Sequence, residues 1–224
     1  MQPLHRRGFL GVLATGAAAL GISSLTSPAS LSAKPKVIPG PSDDAGFETW
    51  LNKIKGKHRQ IFDAPDANGG FPFAWSRIFY MTNNAVGTPD NEITVVVILR
   101  HDAIPLSMNH PLWEKYKFGE FFKITDKATN APAVRNPFYQ PKPNELPLPG
   151  MSIEDLSKTG VLFGACDMAL TFYSGMMAKS LNADAAEIKK DWVSGILPGI
   201  HIVPSGVLAI NRTQEHGCTY CFAG

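Results

Sequence analysis

Three cysteines carry most of the reactive chemistry this sequence offers. Cys166 closes the apolar run Val161-Leu162-Phe163-Gly164-Ala165 and opens a helical one that begins Asp167-Met168. In an open α/β sheet, ligands gather at the carboxyl ends of strands, where helix N-termini begin. A thiol placed there is expected to be exposed and favoured as thiolate. The adjacent carboxylate of Asp167 opposes this by like-charge repulsion, and a sealed structural cysteine is the bland alternative. Cys218 and Cys221 form a Cys-x-x-Cys pair, the spacing of a redox couple or of half a zinc site. Residues three apart on a strand face opposite sides, so the two sulfurs are expected apart unless the chain end relaxes. Cys221, nearer the end of its strand, is expected to approach Cys166. Convergence with His216 or Cys166 would complete a metal site, but no resident metal or cofactor is expected. A haem attachment motif is excluded, because Phe222 stands where histidine is required.

A second group follows the β-branched run 93–99 in Leu99-Arg100-His101-Asp102. His101 could favour the Cys166 thiolate or bind a ligand, or be a loop histidine bonded to backbone. Arg100 suits an anion such as thiosulfate or sulfite, or stands as a solvated cation. His110 and Trp113 could line a pocket mouth, with core packing the alternative for Trp113. Met168, Met176 and Met177 share one predicted helix, where core packing competes with thioether binding of copper.

These groups need elements to position them. The run ITVVVIL at 93–99 is uninterrupted and β-branched, the signature of a strand buried on both faces of a parallel sheet. Further strands are predicted at 57–63, 161–165, 200–203 and 218–222. Helices are predicted at 74–85, 152–158, 167–181, 183–194 and 205–216, with a helical stretch within 113–122. Ser152 ahead of Glu154 and Asp155 is a capping signal. Strands alternating with helices predict a doubly wound α/β fold: a mostly parallel five-stranded sheet, three layers deep, with helices on both faces. Residues 34–56 read as a linker and a short helix carrying Phe47, Trp50, Leu51 and Ile54 at helical spacing. The domain is expected at 57–224, interrupted by a Pro-rich excursion at 101–150 that wraps the sheet or serves a subunit contact.

The block VLFGACDMALTFYSGMMAK, followed by WVSGILPGIHIVPSGVLAINRTQEHGCTYCFAG, resembles the DsrE-like family of sulfur-relay proteins. Residues 93–100 and 161–222 carry the likeness, with Pro204, Gly206, Gln214 and Gly217 the most specific positions. The resemblance implies a small α/β fold, a sulfur-carrying cysteine matched here only by Cys166, and assembly as a trimer or hexamer. It implies sulfur held as a persulfide and exchanged with a small sulfur compound or a partner thiol protein, a chemistry that needs one thiol and no metal. The alternatives are a non-catalytic oligomeric binding or scaffold protein with the same fold, or a metal-binding protein. The excursion and the export signal depart from the family pattern.

Residues 1–33 read as that signal: a cationic start, an uncharged apolar run broken by glycine and serine, and a small-residue end at Ala33. His5-Arg6-Arg7-Gly8-Phe9-Leu10-Gly11 resembles a twin-arginine signal, which places the mature protein in the periplasm. The run is too weakly apolar for a stable membrane span after cleavage. Of the 224 residues, 21 are Lys or Arg and 19 Asp or Glu; without Arg6 and Arg7 the balance is 19 against 19. A neutral chain lacks the surplus of cations that nucleic-acid binding needs, so that partner is excluded. The 44% hydrophobic and 18% charged residues fit one ordinary core and exclude disorder.

Overall fold

The computed structural model describes residues 44–224; the expected export segment at 1–33 and the Pro-rich stretch 34–43 lie outside them. In chain order the elements are α1 (Asp44–Leu51), β1 (His58–Ala64), α2 (Phe71–Ala85), β2 (Ile93–Leu99), α3 (His110–Tyr116), α4 (Phe118–Phe121), α5 (Ile153–Lys158), β3 (Leu162–Cys166), α6 (Asp167–Leu181), α7 (Ala185–Ser194), β4 (Ile200–Val203), α8 (Gly206–Glu215) and β5 (Thr219–Phe222). A short 3-10 turn, His101–Ser107, opens the excursion after β2. All strand pairs are parallel, in the order β4-β3-β2-β1-β5. The fold is therefore the three-layer α/β sandwich that the sequence pattern predicts, with the sheet parallel throughout.

Pleat and burial explain the layers. β2 is buried along its whole length, and its alternate residues serve different cores. Val95, Val97 and Leu99 join the larger cluster with Phe163, Trp113, Leu170 and Trp192, beneath α2, the excursion, α6 and α7. Val96 and Ile98 join the smaller cluster with Phe47, Trp50, Leu51, Val203 and Ala209, beneath α1 and α8. The short helix read with the linker thus supplies much of the second layer. Gly164 is small for a packing reason: a Cβ there would come within 2.8 Å of Ile98 and 3.1 Å of Val203, under the Trp50 indole.

Boundaries moved where capping decided them. α2 starts three residues early, with Pro72 in its first turn, where a missing N–H costs nothing. α7 starts at Ala185 because the Asp184 carboxylate accepts the N–H groups of Ala186 and Glu187. Ser152 caps α5 as predicted, accepting from the Asp155 N–H at 3.1 Å. The helical stretch expected at 113–122 divides at Lys117, whose φ of 49° breaks the run into α3 and α4. The excursion is no loose wrapping. Trp113 and Phe118 are fully buried, the Trp113 indole donates to the Pro105 carbonyl at 2.9 Å, and the Asn136 amide donates to Leu106 and Met108 carbonyls.

Candidate functional site

The connections leaving β1, β2 and β3 all run over the larger core, whereas the one leaving β4 enters α8 over the smaller core. Adjacent strands β3 and β4 therefore send the chain to opposite faces from their carboxyl ends, the usual ligand position in such sheets. Cys166 sits there, in register with Val203 of β4. As the N-cap of the 15-residue α6, its Sγ accepts the Ala169 N–H at 3.3 Å. Ser205 caps α8, its hydroxyl accepting the Leu208 N–H at 3.1 Å. The positive end of α6 thus lies at the thiol, whereas α8 starts over the smaller core and Cys166 packs into the larger one. The thiol is more covered than expected: Cys166 retains 6% exposure and packs into the larger core. The N-cap role turns the sulfur inward to the helix amides instead of out to water.

Arg100 is neither a solvated cation nor a free anion site. Its Nε and Nη2 donate to Asp63 at 2.6 and 2.9 Å, and the Tyr220 hydroxyl donates to the same carboxylate at 2.8 Å. The hydrogen bond to Asp63 raises the Arg100 pKa above the ordinary guanidinium value, opposed by burial and reinforced by the charges of Asp63, Tyr220 and Cys166. Gly206 makes the room: a Cβ there would meet Arg100 carbons at 2.8 Å. Asp63, Tyr220 and Ser205 were missed from the sequence as site residues, and Gly206 was singled out only through the family resemblance. The readable signal was Asp63, a lone carboxylate inside the apolar run Ile61-Phe62-Asp63-Ala64.

Asp167 does not confront the thiol as an unpaired neighbour. It is buried and pairs with Lys189 of α7 at 2.8 Å, so its charge ties the two helices together. His101 begins its turn with φ 52° and sets its exposed ring edge-on against Tyr173, 5.8 Å between centroids. Tyr173 in turn donates its hydroxyl to Asp102; burial and this bond both raise its pKa.

The expected approach of Cys221 to Cys166 does not occur. β5 and β3 lie on opposite sides of β1 and β2, about 14 Å apart across the sheet. Cys221 pairs with Phe62, Phe62 with Val97 and Val97 with Phe163, so it also falls short of Cys166 by three residues, about 10 Å along the strands. The sheet order, invisible in the sequence, decides this. All three cysteines are free. Cys218 faces the smaller core and Cys221 packs against the larger one, the opposite-face separation that strand geometry predicts. Burial pushes the Cys218 thiol from 9.0 up to about 11 and raises Cys221 as well.

His110 and Trp113 separate in the same way. Trp113 is core, while the Nδ1 of His110 accepts the Asn136 N–H at 3.2 Å and its ring tilts against Tyr139 within the excursion. Burial lowers the His110 pKa, with Arg135 acting the same way. Of the three methionines only Met177 is core; Met168 and Met176 are exposed on α6. No family model and no curated protein matches this sequence.

Proposed function

We propose that this is an exported, periplasmic DsrE-like protein that carries sulfur as a persulfide on Cys166. The observation that carries the reading is the place of the thiol, at the carboxyl end of β3 beside β4 and at the N-terminus of α6. The positive end of that helix suits an anionic donor and an anionic product. The Cys166 thiolate attacks the outer sulfur of thiosulfate, the bond from that sulfur to the sulfonate breaks, and sulfite leaves with the electron pair. Three negative charges enter and three leave, one on the new Cys166 persulfide and two on sulfite. A partner thiolate then takes the terminal sulfur and Cys166 returns to thiolate. The 6% exposure restricts the donor to small molecules.

The test is intact-mass spectrometry after exposure to thiosulfate or inorganic polysulfide. The expected result is a reducible adduct of about 32 Da that is lost in Cys166→Ala and kept in Cys221→Ala. No adduct on any cysteine, or an adduct that survives Cys166→Ala, overturns the carrier reading. Burial of the thiol favours a second reading, a non-catalytic oligomeric binding protein with the same fold. In either case we infer a homo-oligomer, a trimer or hexamer. Met168, Phe172 and Met176, one turn apart on α6, leave an exposed apolar stripe that a second copy would cover. Light scattering that finds a monomer at micromolar concentration refutes this part.

A further inference from the structure

A second feature of the fold lies away from Cys166. A cavity of about 480 Å³ lies at the carboxyl ends of β1 and β2, between the loop at 66–69, Asp102 and the excursion. Its size falls in the range of small-molecule sites, roughly 300 to 1,000 Å³. The excursion contributes apolar wall: Phe122, Ile124, Phe138 and Leu146.

Three carboxylates line the same space, Asp66, Asp102 and Asp126. Each has one oxygen committed to the protein. Asp66 accepts the Asn68 N–H at 2.6 Å, Asp102 accepts the Tyr173 hydroxyl, and Asp126 accepts the Ala128 and Thr129 N–H groups at 2.8 and 3.1 Å. The second oxygen of each has no protein partner among the described residues, and none of the three forms an ion pair. The fourth acid of the lining, Glu145, differs, since Arg135 neutralises it at 2.5 Å. Lys123 and Lys127 also border the cavity, but both are exposed, whereas the three aspartates are partly buried. Lys127 donates to the Gly69 carbonyl at 3.3 Å, yet the three unpaired aspartates still outnumber the two lysines of the lining, which therefore carries net negative charge.

A bare metal ion does not suit this arrangement. Among the described residues no three His, Cys, Asp or Glu side chains converge on a metal-binding distance, so the carboxylates are spread around the space instead of gathered at a point. Spread acceptors beside aromatic faces match a molecular cation, whose N–H groups reach more than one carboxylate while its hydrocarbon covers the rings.

We propose that this cavity binds a small organic ammonium compound with an apolar body, its nitrogen held by Asp66 and Asp102 and its hydrocarbon lodged against Phe122 and Phe138. This site is separate from Cys166, which does not line the cavity.

Calorimetric titration of the full chain with phenethylamine, and in parallel with 3-phenylpropionate, tests the charge preference at constant shape. The amine is expected to saturate one site at micromolar to millimolar concentration and the carboxylate to show no saturation. Asp66→Asn and Asp102→Asn are each expected to weaken the amine about tenfold. Leu146→Trp, which fills the space from the apolar side, is expected to abolish binding while the melting temperature stays near that of the parent. Equal binding of amine and carboxylate, saturation by neither, or full affinity in Leu146→Trp overturns the proposal. Persulfide loading of Cys166 is expected to survive Asp66→Asn, so the two readings fail independently.

Discussion

Removing the two ends of the Arg100–Asp63 pair should have unequal costs, and burial says which is larger. The Asp63 side chain is 3% exposed, whereas that of Arg100 is 28% exposed. Arg100→Ala takes two charge-assisted hydrogen bonds, at 2.6 and 2.9 Å, from a carboxylate that water cannot reach, and leaves it only the Tyr220 hydroxyl at 2.8 Å. Stranding one partner of a buried pair costs about 3 to 5 kcal/mol, and the surviving Tyr220 bond sets the value near the lower end, about 3 kcal/mol. Asp63→Ala leaves a guanidinium that can turn toward water, so its cost should be nearer 1 kcal/mol. The double variant buries no unpaired charge, so adding Asp63→Ala to Arg100→Ala should restore about 1 kcal/mol. Urea unfolding of the four proteins, with unchanged denaturant slopes, measures all three quantities. In a domain of this size the single changes correspond to melting shifts of roughly 6 to 12 °C and 2 to 4 °C. If Asp63→Ala costs as much as Arg100→Ala, or the double variant is the least stable, the pair does not act as a buried ion pair.

Other consequences are open to measurement. Gly164→Ala should destabilise by about 1 to 3 kcal/mol through overpacking against Ile98 and Val203, read as a lower urea midpoint; a neutral result would mean that the Trp50 layer yields. Lys189→Ala, which leaves the buried Asp167 without its cation, should cost about 3 kcal/mol by the same assay, and a loss under 0.5 would show that water reaches the carboxylate. The Cys218 thiol rises from 9.0 to about 11 on folding, so the folded state holds its proton where the unfolded state has lost it. The associated stability is present below pH 9 and disappears between about 9 and 11. Cys218→Ala should flatten that alkaline loss, of about 3 kcal/mol, in the pH dependence of unfolding. Iodoacetamide at pH 8 should modify Cys221, partly exposed, well before the buried Cys218, and peptide mass mapping that finds Cys218 modified first would show the burial assignment to be wrong.

Local signals were legible wherever one residue decides a local outcome. The β-branched run of β2 admits only a doubly buried strand, and the strand at 200–203 and the helix at 167–181 kept their bounds. Helix starts slipped where a cap was misjudged, as at Asp184, because one hydrogen-bonding side chain outweighs the periodic pattern around it. Of the site, Cys166 was placed correctly at a strand end, but its exposure was not. The same residue that ends the strand also caps the helix, and the N–H it accepts turns the sulfur into the core.

What the residues determined by themselves was the alternation of buried strands and helices, hence the parallel three-layer fold, and the placing of Cys166 where a strand gives way to a helix. Each of these follows from neighbours in the chain. Only the tertiary structure decided which strands lie side by side. That order holds Cys221 away from Cys166 and brings Asp63, Tyr220 and Gly206 onto Arg100. The physical reason is that strand order depends on the face each connecting helix covers, and a helix buries its apolar stripe equally well on either side until the whole core is packed.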